Sequence, residues 1–168
     1  IDHKDQEKKL TSVIDSVRIL GICRKINKTL NLSQKYVVLV RLFELVGSDQ
    51  KFTPQRMAII NTVASVFKIN EENFSSVEAF AVKEGPELEV NENILQFNSH
   101  HDLSESHSKI KTSSLKKDIL ILLIPDVNLY FIKYTGISEL YLNGLGVHKN
   151  RIYLFAKGST IKLPQGKP

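Results

Sequence analysis

Two acidic side chains, Glu44 and Asp49, flank the predicted end of a helix and are the clearest candidates for metal chemistry. Paired carboxylates could coordinate a divalent cation or act as a general acid and a general base. The alternative is a surface acid beside a turn aspartate that accepts hydrogen bonds from backbone N–H groups. The sequence therefore suggests one cofactor, a divalent cation, and predicts no other.

A group of histidines in a serine-rich stretch is the second candidate for metal binding. Its members are His100, His101, Asp102 and His107. Adjacent residues of an extended chain point in opposite directions, and this spacing matches no standard set of metal ligands. A solvated polar loop is the favoured interpretation of the stretch.

Basic and aromatic residues that follow one another along the C-terminal part could bind a nucleic-acid strand by stacking and phosphate contact. They are Lys133, Tyr134, Tyr141, Lys149, Arg151 and Tyr153. Residues 91–168 hold 10 basic and 6 acidic residues, against 13 and 12 in residues 1–90. Because alternate strand residues also give a core and a solvated face, nucleic-acid binding is an alternative rather than the leading interpretation.

The composition is that of a globular protein without a recognisable enzyme site. The chain has 168 residues, 42% apolar and 24% charged, and a net charge of +5. Its single cysteine, Cys23, excludes an internal disulfide and is interpreted as a small buried side chain. We find no glycine-rich phosphate loop and no Ser-His-Asp arrangement, so we predict that the chain is not an enzyme. The start at Ile1 and the abrupt end predict a piece of a longer protein.

Residues 1–84 have the apolar spacing of an antiparallel bundle of four helices. In the first helix the spacing includes Ile14 and Val17 on the apolar face, and Gly21 predicts a close packing contact. Ser33 is the predicted N-cap of the second helix. Thr53 and Pro54 are typical of a helix start, with threonine as the cap and proline in the first turn.

The remainder of the chain predicts a linker and then strands. Residues 85–117 are expected to be a polar linker that contains a short strand near Ile94–Phe97. Residues 118–168 have β-branched and aromatic runs separated by turns, among them Asn143-Gly144. The predicted fold is α+β, an N-terminal antiparallel helical bundle followed by a small antiparallel β-meander or partial sandwich.

The helical part resembles the TerB-like family, named for tellurite resistance, from about Ile22 to Val82. Family members commonly have an Asp-Gly-x-Ile-Ser-x-x-Glu stretch between two helices, with acidic residues implicated in metal binding. Here Asp49 matches the Asp, whereas Arg56 stands where the Glu would be. The resemblance implies a divalent-metal-binding stress-response domain as an alternative function, with Glu44 and Asp49 as ligands.

The β part resembles the closing strands of a forkhead-associated (FHA) domain. The matching segments are Leu140–Gly144 and Arg151–Leu163. In that family the Asn-Gly pair holds the peptide-binding loops, so the resemblance implies that Asn143, Gly144 and Arg151 form an interaction site.

This order of parts is similar to the N-terminal part of some bacterial multidomain proteins of the ABC-type ATPase class. The resemblance implies a non-catalytic regulatory or interaction module whose partners are other domains of the parent protein or a separate protein. It implies a cytoplasmic location, including the inner face of the membrane if the parent protein is bound there. No apolar run in the chain predicts a membrane span.

Overall fold

The structure, a computed structural model, describes residues 2–47, 51–83, 92–98, 109–111, 118–136 and 138–164. Its contacts divide the chain into two compact units, residues 1–71 and 72–168. Helices followed by mainly antiparallel sheets confirm the predicted α+β fold. The helices are α1 (Asp2–Thr29), α2 (Leu32–Val46), α3 (Pro54–Phe67) and α4 (Glu71–Val82).

The first unit contains α1, α2 and α3, and α3 packs against both other helices. Cys23 of α1 lies in its core with Val63 and Phe67 of α3, and is only 6% exposed. The predicted buried position of Cys23 is therefore confirmed. Burial raises the pKa of the Cys23 thiol, because the thiolate would lose its hydration.

The face that α1 presents to this core differs from the predicted one. Cys23 and Ile26 pack in the core cluster, whereas Ile14 is 46% exposed and Val17 is 63% exposed. No described atom outside the helix backbone and the chain neighbours lies within 4 Å of the position that a Cβ at Gly21 would occupy. The prediction of a close contact at Gly21 is wrong within the described part of the chain. The apolar residues of α1 surround too much of the helix for spacing alone to select the buried side.

The helix starts depend on side-chain caps. Asn31, rather than the predicted Ser33, caps α2: its side chain accepts a hydrogen bond from Gln34 N, and Gln34 Oε1 accepts one from Asn31 N. This reciprocal capping box places Ser33 inside the first turn of the helix. Thr53 caps α3 as predicted, and Pro54 occupies its first position.

The second unit combines α4 with two sheets. The five-stranded sheet has the order β2-β1-β3-β4-β7, and the three-stranded sheet has the order β6-β5-β8. Its described strand pairs are antiparallel except for β1 with β2, which are parallel. The strands are β1 (Ile94–Asn98), β2 (Lys109–Lys111), β3 (Ile119–Ile124), β4 (Leu129–Tyr134), β5 (Tyr141–Leu142), β6 (Leu145–Gly146), β7 (Ile152–Leu154) and β8 (Ile161–Lys162).

Both faces of the larger sheet are covered, which explains the uninterrupted apolar sequence of β3. On one face, Ile121 and Ile132 pack with Leu140 and Leu142 from the β5 region. On the other face, Leu120 pairs with Lys133, and both side chains are buried. Because side chains alternate between the two faces of each strand, the sheet contributes to a hydrophobic core on either side.

Helix α4 covers the second of these faces. The Lys133 ammonium of β4 donates hydrogen bonds to the carbonyl oxygens of Phe80, Ala81 and Lys83. At the other end of α4, Asn73 Nδ2 donates to Asp126 Oδ2 over 2.8 Å. These contacts explain why the division between the units falls after Glu71 and not at the predicted boundary at residue 84.

With the boundary after Glu71, the net positive charge lies in the first unit. Residues 1–71 contain 12 basic and 7 acidic residues, whereas residues 72–168 contain 11 of each. The net charge of +5 therefore belongs to the three-helix unit and not to the β part. The acidic residues of α4 and of the segment after it account for the difference.

No helix in the described part of the chain is long and apolar enough to span a membrane.

Candidate interaction site

The hairpin between β5 and β6 is built on the Asn143-Gly144 turn. Asn143 has a φ of 52° and Gly144 has a φ of 82°. Positive φ at both central residues is typical of a type I′ turn, which matches the twist of paired strands. Asparagine and glycine tolerate this left-handed conformation best, so the local sequence determines the turn.

The side chain of Asn143 connects this turn to a second one. Asn143 Oδ1 accepts a hydrogen bond from Thr160 N over 2.8 Å, and Asn143 Nδ2 donates to Ser159 Oγ over 3.2 Å. The backbone of Asn143 also donates to Thr160 O over 2.9 Å. The second turn is closed by Ser159 N donating to Ala156 O, with Gly158 at a φ of 86°. One side chain thus orients two neighbouring loops.

The joined turns present a mixed surface to solvent. Leu145, directly after the turn, is 76% exposed, and Lys157 of the second turn is exposed as well. An exposed leucine on a backbone fixed by hydrogen bonds is the arrangement of a small contact surface. It contains no nucleophile paired with a base.

Arg151 lies away from this surface. Ile152, the next residue, pairs with Lys133 at one end of β7, whereas Phe155 N donates to Tyr130 O at the other end, from which the chain enters the second turn. The structure therefore brings Asn143 and Gly144 together and places Arg151 at the opposite end of the strands. The segment Arg151–Leu163, which resembles FHA domains, runs through β7. The length of that strand separates Arg151 from the second turn.

The expected metal pair receives no support from the geometry. Glu44 of α2 forms an ion pair with Arg41 on the preceding helical turn. Arg56 Nη1 donates to Val46 O over 3.1 Å and to Lys51 O over 2.9 Å, so its positive charge lies at the connection between α2 and α3. Asp49 lies outside the described residues. Glu44 is thus paired with a guanidinium group in the described part of the chain, and the pair of Glu44 and Asp49 as metal ligands stays a prediction.

The histidine stretch cannot be assigned. His100, His101, Asp102 and His107 all lie outside the described residues. Within the ranges that the structure describes, no group of three or more His, Cys, Asp or Glu side chains could hold a metal ion.

The residues expected to bind nucleic acid do not share one exposed face. Lys133 and Tyr134 are each 1% exposed, on opposite faces of β4. Tyr141 Oη donates to Glu139 Oε2 over 3.1 Å, and this hydrogen bond, followed by the charge of Glu139, raises the pKa of Tyr141. Lys149 and Arg151 remain exposed. Two of the six residues of the set, Lys133 and Tyr134, are therefore buried inside the fold.

Lys133 is the structurally decisive residue that sequence reasoning assigned to the wrong environment. The sequence did offer one indication that this residue is buried. It is the single lysine of an otherwise apolar and aromatic strand, with Phe131 two residues earlier. Lysine in such a position is buried only where several acceptors receive its three N–H groups. The C-terminal carbonyls of α4 supply those acceptors, but nothing in the spacing of β4 indicates them.

Comparison with known proteins finds no family model, no curated protein and no solved structure that matches the chain.

Proposed function

We propose that this chain is a non-catalytic regulatory or protein-interaction module of a larger protein of the ABC-type ATPase or transporter class. The surface around Asn143, Gly144 and Leu145 contacts another domain of that protein or a separate protein. The observation that carries the proposal is the side chain of Asn143, which holds two loops next to an exposed leucine.

The physical argument is preorganisation. Binding costs less conformational entropy when the contacting loops already hold their bound shape. The type I′ turn and the Asn143 hydrogen bonds restrict both loops before any partner arrives. Leu145 then offers apolar area to bury against the partner.

The resemblance to FHA domains supports the same surface. In that family an Asn-Gly pair holds the binding loops, and here Asn143 bonds to the neighbouring loop in the corresponding way. We include the TerB-like and FHA-like assignments, and a cytoplasmic location, in the proposal. Recognition of a phosphorylated peptide is not part of it.

The test uses the larger protein to which the proposal assigns this chain. A photo-crosslinking amino acid is placed at position 145, the protein is irradiated, and crosslinked peptides are mapped by mass spectrometry. We expect crosslinks from position 145 to a single region beyond residue 168 or to one co-purifying subunit. The matched control carries the crosslinker at position 45, because Leu45 is 70% exposed and Leu145 is 76% exposed.

A second variant links the contact to the turn. Asn143→Gly keeps the left-handed backbone and removes both side-chain hydrogen bonds, whereas Asn143→Asp keeps the acceptor for Thr160 N. Crosslinking from position 145 should fall in Asn143→Gly and persist in Asn143→Asp. Equal crosslinking from positions 45 and 145, or no difference between the two Asn143 variants, would contradict the proposal.

A further inference from the structure

The Asn143-Gly144 turn has the residues for a covalent change that needs no enzyme. Asparagine is a thermolabile residue, because the backbone nitrogen of the next residue can attack its side-chain carbonyl carbon. A glycine in that next position has no side chain to obstruct the attack. Asn143 is the only asparagine in the sequence that precedes a glycine. Both residues are exposed, and a Cβ at Gly144 would meet no described atom within 4 Å apart from its chain neighbours, so water reaches the turn.

The reaction consumes one molecule of water and releases one of ammonia. Gly144 N loses its proton and forms a bond to Cγ of Asn143, the bond from Cγ to Nδ2 breaks, and Nδ2 leaves as ammonia. The product is a five-membered succinimide ring, which water opens at either carbonyl carbon. Opening at Cγ leaves aspartate. Opening at the backbone carbonyl leaves isoaspartate, in which the main chain continues through Cγ and is one carbon longer.

The contacts of the Asn143 side chain oppose the first step. Oδ1 accepts from Thr160 N over 2.8 Å, and Nδ2 donates to Ser159 Oγ over 3.2 Å. Attack requires the carboxamide to turn its flat face towards Gly144 N, and hydrogen bonds in the plane of the carboxamide restrict that rotation. The reaction therefore proceeds from the fraction of molecules in which these bonds are open.

We propose that Asn143 is a site of spontaneous deamidation, that its bonds to the second turn set the rate, and that isoaspartate separates the two turns. A type I′ turn depends on two residues with positive φ, and an additional main-chain carbon changes that geometry. Aspartate keeps the main chain, and its carboxylate still accepts from Thr160 N. The modification needs no partner, so it goes beyond the proposed interaction and does not depend on it.

Two further asparagines provide a comparison within the chain. Asn128 and Asn150 have φ of 49° and 60°, close to the 52° of Asn143. They precede Leu129 and Arg151, whose side chains obstruct the approach of the backbone nitrogen. If left-handed backbone alone caused the reaction, all three asparagines would react, whereas the proposal expects reaction at Asn143.

Timed incubation tests the site. The protein is kept in mildly alkaline buffer, which favours loss of the Gly144 proton, and digested samples are mapped by mass spectrometry. Electron-transfer fragmentation distinguishes isoaspartate from aspartate. We expect both products at position 143, unchanged amides at positions 128 and 150, and conversion about tenfold faster in urea, where the hydrogen bonds are lost. Absence of product at position 143 in the folded chain, or equal conversion at the three positions, would overturn the proposal.

Ser159→Ala tests the control of the rate. Alanine removes the acceptor of Nδ2 and leaves Thr160 N in place, so conversion at position 143 should be about fivefold faster, the value of one hydrogen bond. Lys157→Ala, an exposed change in the second turn, removes no partner of Asn143 and should convert at the native rate. Equal rates in Ser159→Ala and the native chain would refute the role given to the hydrogen bonds.

Exchange of the Thr160 amide with solvent tests the consequence. Partly converted protein should contain a population whose Thr160 amide exchanges about tenfold faster than in fresh protein. The share of that population should equal the isoaspartate fraction measured by mass spectrometry. Asn143→Asp reproduces the aspartate product and should retain slow exchange. Fast exchange in Asn143→Asp, or slow exchange throughout a converted sample, would contradict the separation of the turns by isoaspartate.

Discussion

The ammonium nitrogen of Lys133 lies 3.0 Å from the carbonyl oxygen of Phe80, 53 residues earlier in the chain. Two further carbonyls, of Ala81 and Lys83, accept from the same nitrogen at 3.3 Å and 3.2 Å. A buried lysine therefore closes the C-terminal end of α4, where backbone carbonyls have no partner within the helix and the helix dipole is negative. This contact joins α4 to the sheet and determines where the second unit begins.

Lys133→Met should strongly destabilise the second unit. Methionine keeps most of the volume but removes three N–H donors, which leaves buried carbonyls without their charged partner. We expect a loss of about 2–4 kcal/mol in the free energy of unfolding, measured by urea denaturation. Lys157→Met, at an exposed site, should change stability by about 0.5 kcal/mol or less. Similar losses in both variants would show that the Lys133 contacts contribute little.

Asn143→Gly should loosen the second turn without strain in the first. Glycine accepts the left-handed φ of 52°, so the change isolates the side-chain hydrogen bonds to Ser159 and Thr160. The Thr160 amide should exchange with solvent about tenfold faster, which corresponds to about 1.4 kcal/mol of local stability. Hydrogen exchange followed by NMR gives the rate. Asn143→Asp serves as the control and should retain the slow exchange of the Thr160 amide.

Gly47→Ala should disturb the end of α2. A Cβ at this position would lie 2.3 Å from the Phe52 ring and 3.0 Å from the Phe43 carbonyl oxygen. We expect a loss of about 1–3 kcal/mol, since overpacking forces the ring or the backbone to move. Gly146→Ala, where a Cβ meets no described atom within 4 Å, should be almost neutral. If the ring causes the effect, Gly47→Ala should cost less in a Phe52→Leu background than in the native chain.

The buried thiol should make stability fall at alkaline pH. Because burial raises the pKa of Cys23 above 9.0, the folded state retains its proton at pH values where the unfolded thiol loses it. The stabilising contribution is therefore complete below the unfolded pKa and is lost as pH rises towards the folded pKa. The free energy of unfolding should decline less between pH 8.5 and 10 in Cys23→Ala than in the native chain. Parallel curves for the two proteins would show that the pKa of Cys23 is the same in the folded and unfolded states.

The local sequence predicted those features whose causes lie within a few residues. Thr53 and Pro54 start α3, because a side-chain cap and a fixed φ act on the adjacent turn. Asn143 and Gly144 form their hairpin turn, because few residues tolerate its left-handed backbone. Ser33 failed as a predicted cap since Asn31 competes for the same helix start and completes a capping box with Gln34.

The candidate site was only partly predictable, because some of its contacts are local in sequence and others are not. The Asn-Gly turn is local, so Asn143 and Gly144 could be named from the sequence. Their connection to Ser159 and Thr160 spans 16 and 17 residues, and nothing in the intervening sequence indicates it. Arg151 was grouped with them through the resemblance to FHA domains, but the length of β7 places it at the other end of the strands.

The α+β class, the starts of the helices, the hairpin turn and the burial of Cys23 could be predicted from the chain, because composition, periodicity and backbone preference act over short distances. That α4 belongs with the sheet, that Lys133 is buried and that Ile14 and Val17 are exposed became visible only in the folded molecule. Each of these outcomes depends on which surfaces meet. A lysine in a strand caps a helix only when the end of a helix lies over it. The local spacing of residues does not indicate such a contact.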